Sequence, residues 1–595
     1  MVLLKNEKDT LPLQNGTKVA LFGKGTVDYV KGGGGSGDVT VEYIRNLYEG
    51  MKIKEDEGKV EVFDKLAKYY EEDIQKQYAD GAVPGMTIEP ELPDDLLKEA
   101  REYTDTAIIT ICRFSGEGWD RKCEAAQDGY VLDGDEKRNA DLSAKIFEDG
   151  DFCLTNAENA MVEKVKKAFP HVIVVMNVGG IVDTKWFKDC EEIQSVLMAW
   201  QGGMEGGNAV ADLLSGKVSP SGKLTDTIAH SLSDYPAAND FGDTVRNFYT
   251  EDIYVGYRYF ETFCPEKVMY EFGYGISYTT FEIEILKAET VAEEGNRKDE
   301  LTKSDAGDAD HAVVKITAIV KNTGNAKGKE VVQVYVEAPQ GKLGKPAREL
   351  KAFAKTKELA PGESQQLVLT IPVKNLASYD DSGVTGHKSC YVLEAGAYVF
   401  HVGNSVRNTQ ITDVDAKGAY EVKELCVTEA LQEALAPTEH FERIRPEQKK
   451  EGGTYQIARE NVPQQTISLE ERIRKHLPQE LTITGDQGIR FSDVADGKET
   501  LEAFIAQLEK EELATIVRGE GMSSPKVTPG TASVTVFMRM ESRLHAVQMV
   551  LPVSVWKMEV LHPSFQSEHC LHVLLTFQWW RSYMSWKEKN CLQTR

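Results

Sequence analysis

The first 230 residues alternate uninterrupted apolar runs of strand length with amphipathic segments of helix length. The apolar runs are KVALFG (18–23), TAIITIC (106–112), HVIVVMNVGG (171–180) and SVLMAW (195–200). Charged, periodic segments such as 64–77 and 156–169 lie between them, and the second opens with a capping box of Thr155 and Glu158. Because strands that are apolar throughout must be covered on both faces, the alternation predicts a mostly parallel sheet between two layers of helices.

The pattern changes twice further along the chain. Between 311 and 405, four segments alternate apolar and polar residues with period two, and the turn-forming stretches KNTGNAKG and LAPGES separate them; the segments are 313–320, 331–338, 366–373 and 397–404. This pattern predicts a small antiparallel β-sandwich. Residues 420–533 are charged and predicted to be helical again, with the clearest helix over 498–517.

Composition narrows the class of protein. A chain of 595 residues predicts several domains, and its net charge of −26 argues against nucleic acid and anionic membranes as partners. No apolar run has the length of a membrane span, and charge interrupts the apolar N-terminus too early for a signal peptide. Nine scattered cysteines without a C-x-x-C pair predict reduced thiols and a cytoplasmic location. The sequence leaves a homo-oligomer open.

The stretch RFSGEGWDRK (113–122) is the first candidate site. It places Glu117 between Gly116 and Gly118, directly after the apolar run 106–112. One interpretation is a solvated loop with a surface ion pair. The other is a catalytic carboxylate exposed by flanking glycines at the carboxyl end of a strand, where open α/β sheets hold their ligands.

Two glycine-rich stretches need an explanation as well. KGGGGSGDV (31–39) fits neither the Walker nor the Rossmann phosphate-binding pattern, so it is either a flexible linker or a loop whose backbone approaches a polar ligand. The glycines around Glu205 in segment 200–224 are interpreted as tight helix–sheet packing. The sequence has no H-x-x-x-H motif and no cysteine cluster, which indicates no metal or other cofactor. It also lacks the G-x-S-x-G elbow that is typical of a serine hydrolase.

Six stretches together resemble a family 3 glycoside hydrolase of the β-glucosidase type. They are MVLLKNEKDTLPL, KVALFGKGTVDYVKGGGGSGDV, SGEGWDR, GGMEGGNAVADLLSGKVSPSGKL, YEFGYGISYTTF and NTGNAKGKEVVQVYV. The order of the stretches resembles the bacterial subgroup whose catalytic barrel is C-terminal. The resemblance implies a multidomain chain: an α/β sandwich over 1–245, a connecting segment over 246–300, a fibronectin-III-like β-sandwich over 301–420 and the incomplete start of a (β/α)₈ barrel over 421–533.

The resemblance also implies the chemistry. It makes Glu117 the general acid/base of a retaining hydrolase that acts on terminal β-linked glucosyl or related residues of a carbohydrate substrate. A retaining enzyme needs a second carboxylate about 5–5.5 Å from the acid, as the nucleophile. Trp119 and Asp120 on the same loop, and Gly35 and Ser36 on loop 31–38, are the expected sugar contacts.

The last stretch, 534–595, predicts an aberrant tail. It contains neither glycine nor aspartate, although the chain has 49 glycines, so no residue after Ala532 matches the family's aspartate nucleophile. Read from the third nucleotide of each codon, Gln548 to Trp556 permits Asp-Gly-Pro-Ser-Gly-Ile-Arg-Met, which resembles the family's substrate-gripping loop, and two later segments in the same frame also permit family-like peptides. The interpretation is truncation by a frameshift, with a disordered tail. The alternative function is therefore a catalytically inactive remnant that folds and at most binds sugar.

Overall fold

The computed structural model describes residues 1–34, 38–39, 41–116, 142–240, 246–292, 312–433, 436–478, 480–518, 532–533 and 548–549. The chain divides into two compact units, 1–431 with 439–463 and 432–438 with 464–595. Within the described ranges, no helix is both long enough and apolar enough to cross a membrane.

A six-stranded sheet forms the core of the first domain. Its strands are β1 (Val2–Asn6), β2 (Thr17–Phe22), β3 (Val60–Val62), β4 (Thr106–Arg113), β5 (His171–Val178) and β6 (Ile193–Met198). The spatial order is β1-β6-β5-β4-β2-β3, and every pair except β1–β6 is parallel. The predicted mostly parallel sheet is therefore confirmed. The antiparallel edge strand β1 is not among the predicted strands.

Helices cover both faces of this sheet. They are α1 (Leu47–Asp56), α2 (Asp64–Ala79), α3 (Asp94–Tyr103), α4 (Asn156–Ala168), α5 (Lys185–Lys188) and α6 (Gly206–Leu214). One face buries Ile109 and Val174, and the other buries Ile108 and Val175, so neighbouring residues of each strand enter opposite cores. The predicted capping box of α4 is present, because Thr155 accepts from the Glu158 N–H and Glu158 accepts from the Thr155 N–H. Strands that read as continuously apolar are thus buried from both sides.

The glycines near Glu205 do allow close packing, but the partner differs from the prediction. A Cβ on Gly207 would lie 1.9 Å from the Asn46 carbonyl oxygen at the start of α1, and one on Gly206 would lie 2.4 Å from the Tyr29 hydroxyl. The glycines therefore bring α6 against helix α1 and the loop after β2, rather than against the sheet. This contact anchors the chain at the carboxyl edge of the sheet.

A segment between the two domains adds β7 (Ile228–Ala229), α7 (Tyr257–Phe263) and β8 (Val268–Tyr270). The β-sandwich that follows pairs a sheet of order β13-β10-β9 with a sheet of order β12-β11-β16-β17. These strands are β9 (Phe281–Ala292), β10 (Ala312–Asn322), β11 (Val331–Glu337), β12 (Glu349–Lys355), β13 (Ser364–Pro372), β16 (Gly396–Gly403) and β17 (Thr409–Thr412). Smaller pairings add β14 (Ser378–Asp380), β15 (Cys390–Leu393), β18 (Tyr420–Val422) and β19 (Cys426–Ala430). The four predicted sandwich strands are all present.

Strand β11 departs from the predicted alternation because its five central residues are all buried. The side chain of Gln333 donates to the carbonyls of Gly273 (3.3 Å) and Asn404 (2.6 Å), and the Tyr335 ring lies 6.0 Å from that of Tyr257. The outer face of the strand is therefore covered by the segment that leads out of the α/β domain.

The predicted helical character of 420–533 is wrong for its first part. Residues Glu442–Lys449 (β20) and Tyr455–Asn461 (β21) form an antiparallel hairpin. Ile444 and Tyr455 are buried against Phe260 and Phe263 of α7. Each strand buries one residue on the apolar surface of α7, and this contact favours a hairpin over helices. The charged sequence of the segment has no clear periodicity, so it does not predict this contact.

The described part of the second unit contains α8 (Leu469–Lys475), α9 (Phe491–Ala495), α10 (Leu501–Ala506) and α11 (Lys510–Arg518), and the short strands β22 (Ala532–Ser533) and β23 (Gln548–Met549) pair. The single helix predicted over 498–517 is wrong, because α10 ends at Ala506. The buried Gln507 side chain accepts from the N–H groups of Gln487 and Ile489, both at 3.1 Å. Glu509 N–H donates to the Glu512 carboxylate at 2.8 Å, which caps a new helix.

Candidate active site

The candidate site lies at the carboxyl edge of the parallel sheet. Strands β6, β5, β4 and β2 are neighbours and run in the same direction, so the loops that follow them emerge at one edge. All residues predicted to bind or act on substrate follow β2 or β4. This edge is where ligands bind in open α/β sheets.

The predicted site residues themselves, Gly35, Ser36, Glu117, Trp119 and Asp120, lie outside the described residues. Their roles remain predictions. The structure does describe the residues that directly precede them on each loop.

The two loops meet directly before the predicted residues. Gly34 and Gly116 form an isolated parallel bridge, and the Gly34 N–H donates to the Ser115 carbonyl at 3.3 Å. A Cβ on Gly116 would lie 2.0 Å from the Gly34 backbone nitrogen, so the contact requires glycine at position 116. The glycine-rich loop and the SGEG loop, distant in sequence, are therefore neighbours. For the described residues 31–34, this contact excludes the interpretation as a flexible linker.

Asn177 anchors the approach of the glycine-rich loop. Its Oδ1 accepts from the Val30 N–H at 2.8 Å, and its Nδ2 donates to the carbonyls of Val30 (2.9 Å) and Trp200 (2.8 Å). The next residue, Lys31, accepts from the Gly203 N–H at 2.8 Å. Sequence reasoning did not identify Asn177. The available signal was a single polar residue inside the apolar run HVIVVMNV, since a buried amide must find hydrogen-bond partners.

The turn after β6 is strained. Trp200 has a φ of 58°, a left-handed conformation that is uncommon for a residue with a side chain. The neighbouring Gln201 has a buried Nε2 without a hydrogen-bond partner among the described residues. A Cβ on Gly179 would lie 2.6 Å from Ser115 Oγ and 2.7 Å from that nitrogen. The ends of β4, β5 and β6 thus converge beside the SGEG loop, and backbone strain of this kind concentrates at functional sites.

Arg113 and Glu158 form a buried ion pair below the SGEG loop. Each side chain is 2% exposed, and two N–H···O contacts of 2.6 and 2.7 Å join them. Burial opposes the charge on Glu158, but the Arg113 guanidinium holds the pKa of that carboxyl below its usual value. Because its oxygens are occupied by Arg113 and the Thr155 N–H, Glu158 is a structural carboxylate and not a free catalytic one.

Glu89 has the most perturbed carboxyl group near this edge, and it is also structural. Burial raises the pKa of Glu89 to about 8, and its Oε2 accepts from the Lys24 N–H at 2.9 Å. A raised pKa is typical of a catalytic acid, but Glu89 is only 4% exposed and its oxygen is bound to the backbone after β2. A sugar cannot reach it, so its perturbed pKa marks a buried loop anchor. Within the described ranges, no group of three or more metal-binding side chains is placed to hold an ion.

Comparison with known proteins identifies the family. Residues 1–278 match the glycosyl hydrolase family 3 C-terminal domain, and residues 330–406 match a fibronectin type III-like domain. β-Glucosidase A of Butyrivibrio fibrisolvens is 47% identical over 547 residues, which cover 87% of this chain and 63% of that protein. The chain belongs to glycoside hydrolase family 3.

Two solved structures resemble the fold. The β-glucosidase of Paenibacillus barengoltzii matches with a TM-score of 0.78 and 48% identity, and the match covers 90% of this chain and 54% of that protein. β-Glucosidase 3B of Thermotoga neapolitana, solved in complex with α-D-glucose, matches with a TM-score of 0.57 and 35% identity, and the match covers 72% of this chain and 53% of that protein. The chain therefore spans between half and two thirds of the length of these relatives. The expected α/β domain and fibronectin-like sandwich are confirmed.

Proposed function

We propose that this protein is a retaining glycoside hydrolase that removes terminal β-linked glucosyl residues from a carbohydrate substrate. The observation that carries the proposal is the bridge between Gly34 and Gly116, which brings the glycine-rich and SGEG loops together at the carboxyl edge of a family 3 α/β domain. Relatives named as β-glucosidases, one of them bound to glucose, support the substrate class.

Glu117 is the proposed general acid/base. It directly follows Gly116, whose backbone pairs with Gly34 of the glycine-rich loop at the sheet edge. As an acid it protonates the glycosidic oxygen while a second carboxylate attacks the anomeric carbon, and as a base it then activates the water that releases the sugar. Gly35 and Ser36 on one loop, and Trp119 and Asp120 on the other, are proposed to contact the substrate.

The second carboxylate is proposed to come from a (β/α)₈ barrel that begins within 421–533. Similarity to the Butyrivibrio enzyme covers 87% of the chain and so extends beyond the fibronectin-like domain, which supports this assignment. The cytoplasmic location is proposed on the reduced thiols: within the described ranges, no two cysteines are joined by a disulfide.

The test is hydrolysis measured with substrates of different leaving groups. Glu117→Ala should lower kcat/KM on cellobiose about 100-fold or more, and on 2,4-dinitrophenyl β-glucoside far less, because a good leaving group needs no proton. Azide should restore turnover of the activated substrate, and NMR should show the β-anomer as first product. Equal losses on both substrates without azide rescue would reject the assignment.

A second candidate concerns the 595-residue chain itself: that it is catalytically inactive because its frame shifts after codon 533. The family-like peptides in one shifted frame of 534–595 support it. Resequencing should then show a one- or two-base insertion or deletion, with an open frame through the rest of the barrel. Purified 595-residue protein that hydrolyses aryl β-glucosides, with the rate lost on Glu117→Ala, would refute this candidate.

A further inference from the structure

Arg113 is the last residue of β4 and precedes Glu117 by four positions. Its guanidinium is fully buried and makes five hydrogen bonds, two of them to Glu158 and three to backbone carbonyls. A buried guanidinium is tolerated only when its N–H groups are paired. The positions of these hydrogen-bond acceptors therefore show which segments Arg113 holds together.

Two of the three carbonyl partners lie beyond the SGEG motif in the chain, whereas the third, Cys112, precedes Arg113 in β4. Arg113 Nε donates to the carbonyl of Asp151 at 2.9 Å, and Nη2 donates to the carbonyl of Cys153 at 2.8 Å. The chain leaves the sheet after Arg113 and returns to helix α4 at Asn156. Arg113 thus joins the two ends of the segment between β4 and α4, which we call the SGEG excursion.

Glu158 connects this junction to α4. Its carboxylate takes both terminal nitrogens of Arg113 and also the Thr155 N–H at 2.9 Å. Burial opposes the charge on Arg113, but Glu158 raises the pKa of the guanidinium, so the pair stays ionised. Strand, returning chain and helix are therefore held by one planar group that presents five donors in a rigid fork.

The N–H donors of the Arg113 guanidinium distinguish two possible roles of this residue. An ion pair that only stabilised the core would need the contact with Glu158, which a lysine at 113 also provides. The contacts with the carbonyls of Asp151 and Cys153 need the additional donors of arginine. We propose that Arg113 is a positioning residue that sets the base of the SGEG excursion so that Glu117 reaches the glycosidic oxygen. This inference rests on the proposed function of Glu117.

The experiment compares Arg113→Lys with the partly exposed control Arg101→Lys, whose guanidinium pairs with exposed Asp105. It uses whichever form hydrolyses aryl β-glucosides, the 595-residue chain or the chain with its frame restored. Arg113→Lys should lower kcat/KM on cellobiose about 30-fold and on 2,4-dinitrophenyl β-glucoside less than about threefold. Arg101→Lys should change neither value.

A second variant guards against misfolding. Arg113→Met combined with Glu158→Leu replaces the pair with apolar side chains, an exchange that buried ion pairs often tolerate, and it should show the same preference for the activated substrate. Equal losses on both substrates in the Arg113 variants, while Glu117→Ala still discriminates between them, would overturn the positioning role. Failure of Glu117→Ala to discriminate would instead reject the proposed function.

Discussion

Glu89 should make the stability of the α/β domain depend on pH in an unusual direction. Its carboxyl group keeps its proton up to about pH 8 in the folded protein, whereas the unfolded chain releases it near the ordinary value of 4.5. The contribution of this group is therefore fully present below pH 4.5 and is lost as pH rises to 8. The difference of 3.5 pKa units corresponds to about 5 kcal/mol, at about 1.4 kcal/mol for each unit.

Glu89→Gln removes the ionisation and keeps an oxygen that accepts from the Lys24 N–H. Relative to the unsubstituted protein, its free energy of unfolding should be about 2 kcal/mol higher at pH 6 and about 5 kcal/mol higher at pH 8.5. The measurement is urea unfolding at both pH values, monitored by deuterium labelling of peptides from β4 and β5. Exposed Glu91, two residues away, supplies the control Glu91→Gln, which should show no such change.

The increase with pH is the decisive quantity, because any change in packing caused by glutamine is the same at both pH values. A difference between Glu89→Gln and the unsubstituted protein that stays constant within about 0.5 kcal/mol from pH 6 to 8.5 would refute the reasoning. It would mean that Glu89 ionises inside the folded domain at an ordinary pKa.

Further outcomes follow from the loop contacts and the cores. Gly116→Ala should lower kcat/KM on β-glucosides at least about tenfold, because its Cβ would lie 2.0 Å from the Gly34 nitrogen. The control Gly32→Ala, with no atom within 4 Å of its Cβ, should leave kcat/KM unchanged. Equal effects of the two substitutions would contradict the loop contact. Asn177→Leu should raise KM more than it lowers kcat, because it frees Val30 and Trp200 at the same edge; an unchanged KM would argue against that anchor. Trypsin should cut first beyond residue 463, where Phe504 and Leu508 form a much smaller core than those of the α/β domain and the sandwich, and an initial cut before residue 230 would contradict this order.

Much of the fold follows from local pattern. The apolar runs at 106–112 and 171–180 are short and rich in β-branched residues, which predicts strands covered on both faces, and they form β4 and β5. The capping box of Thr155 and Glu158 marked the start of α4 to the residue. These features depend on neighbours in the chain, so periodicity and capping chemistry are enough to predict them.

Other elements could not be predicted because distant residues decide them. Strand β1 exists because the edge of β6 accepts it, and the hairpin of β20 and β21 exists because α7 offers an apolar surface to Ile444 and Tyr455. The helix expected over 498–517 divides because Gln507 binds the backbone at 487 and 489. Intrinsic propensity is weak beside contacts of this kind.

The candidate site shows the same division. The sequence by itself determined the family and pointed to Glu117 through its flanking glycines and the strand before it. Only the tertiary structure decided that Gly116 packs on Gly34, that Asn177 anchors the glycine-rich loop, and that Arg113 closes the base of the excursion. The physical reason is that a catalytic residue type is local information, whereas the hydrogen bonds and close backbone contacts that aim it join segments far apart in the chain.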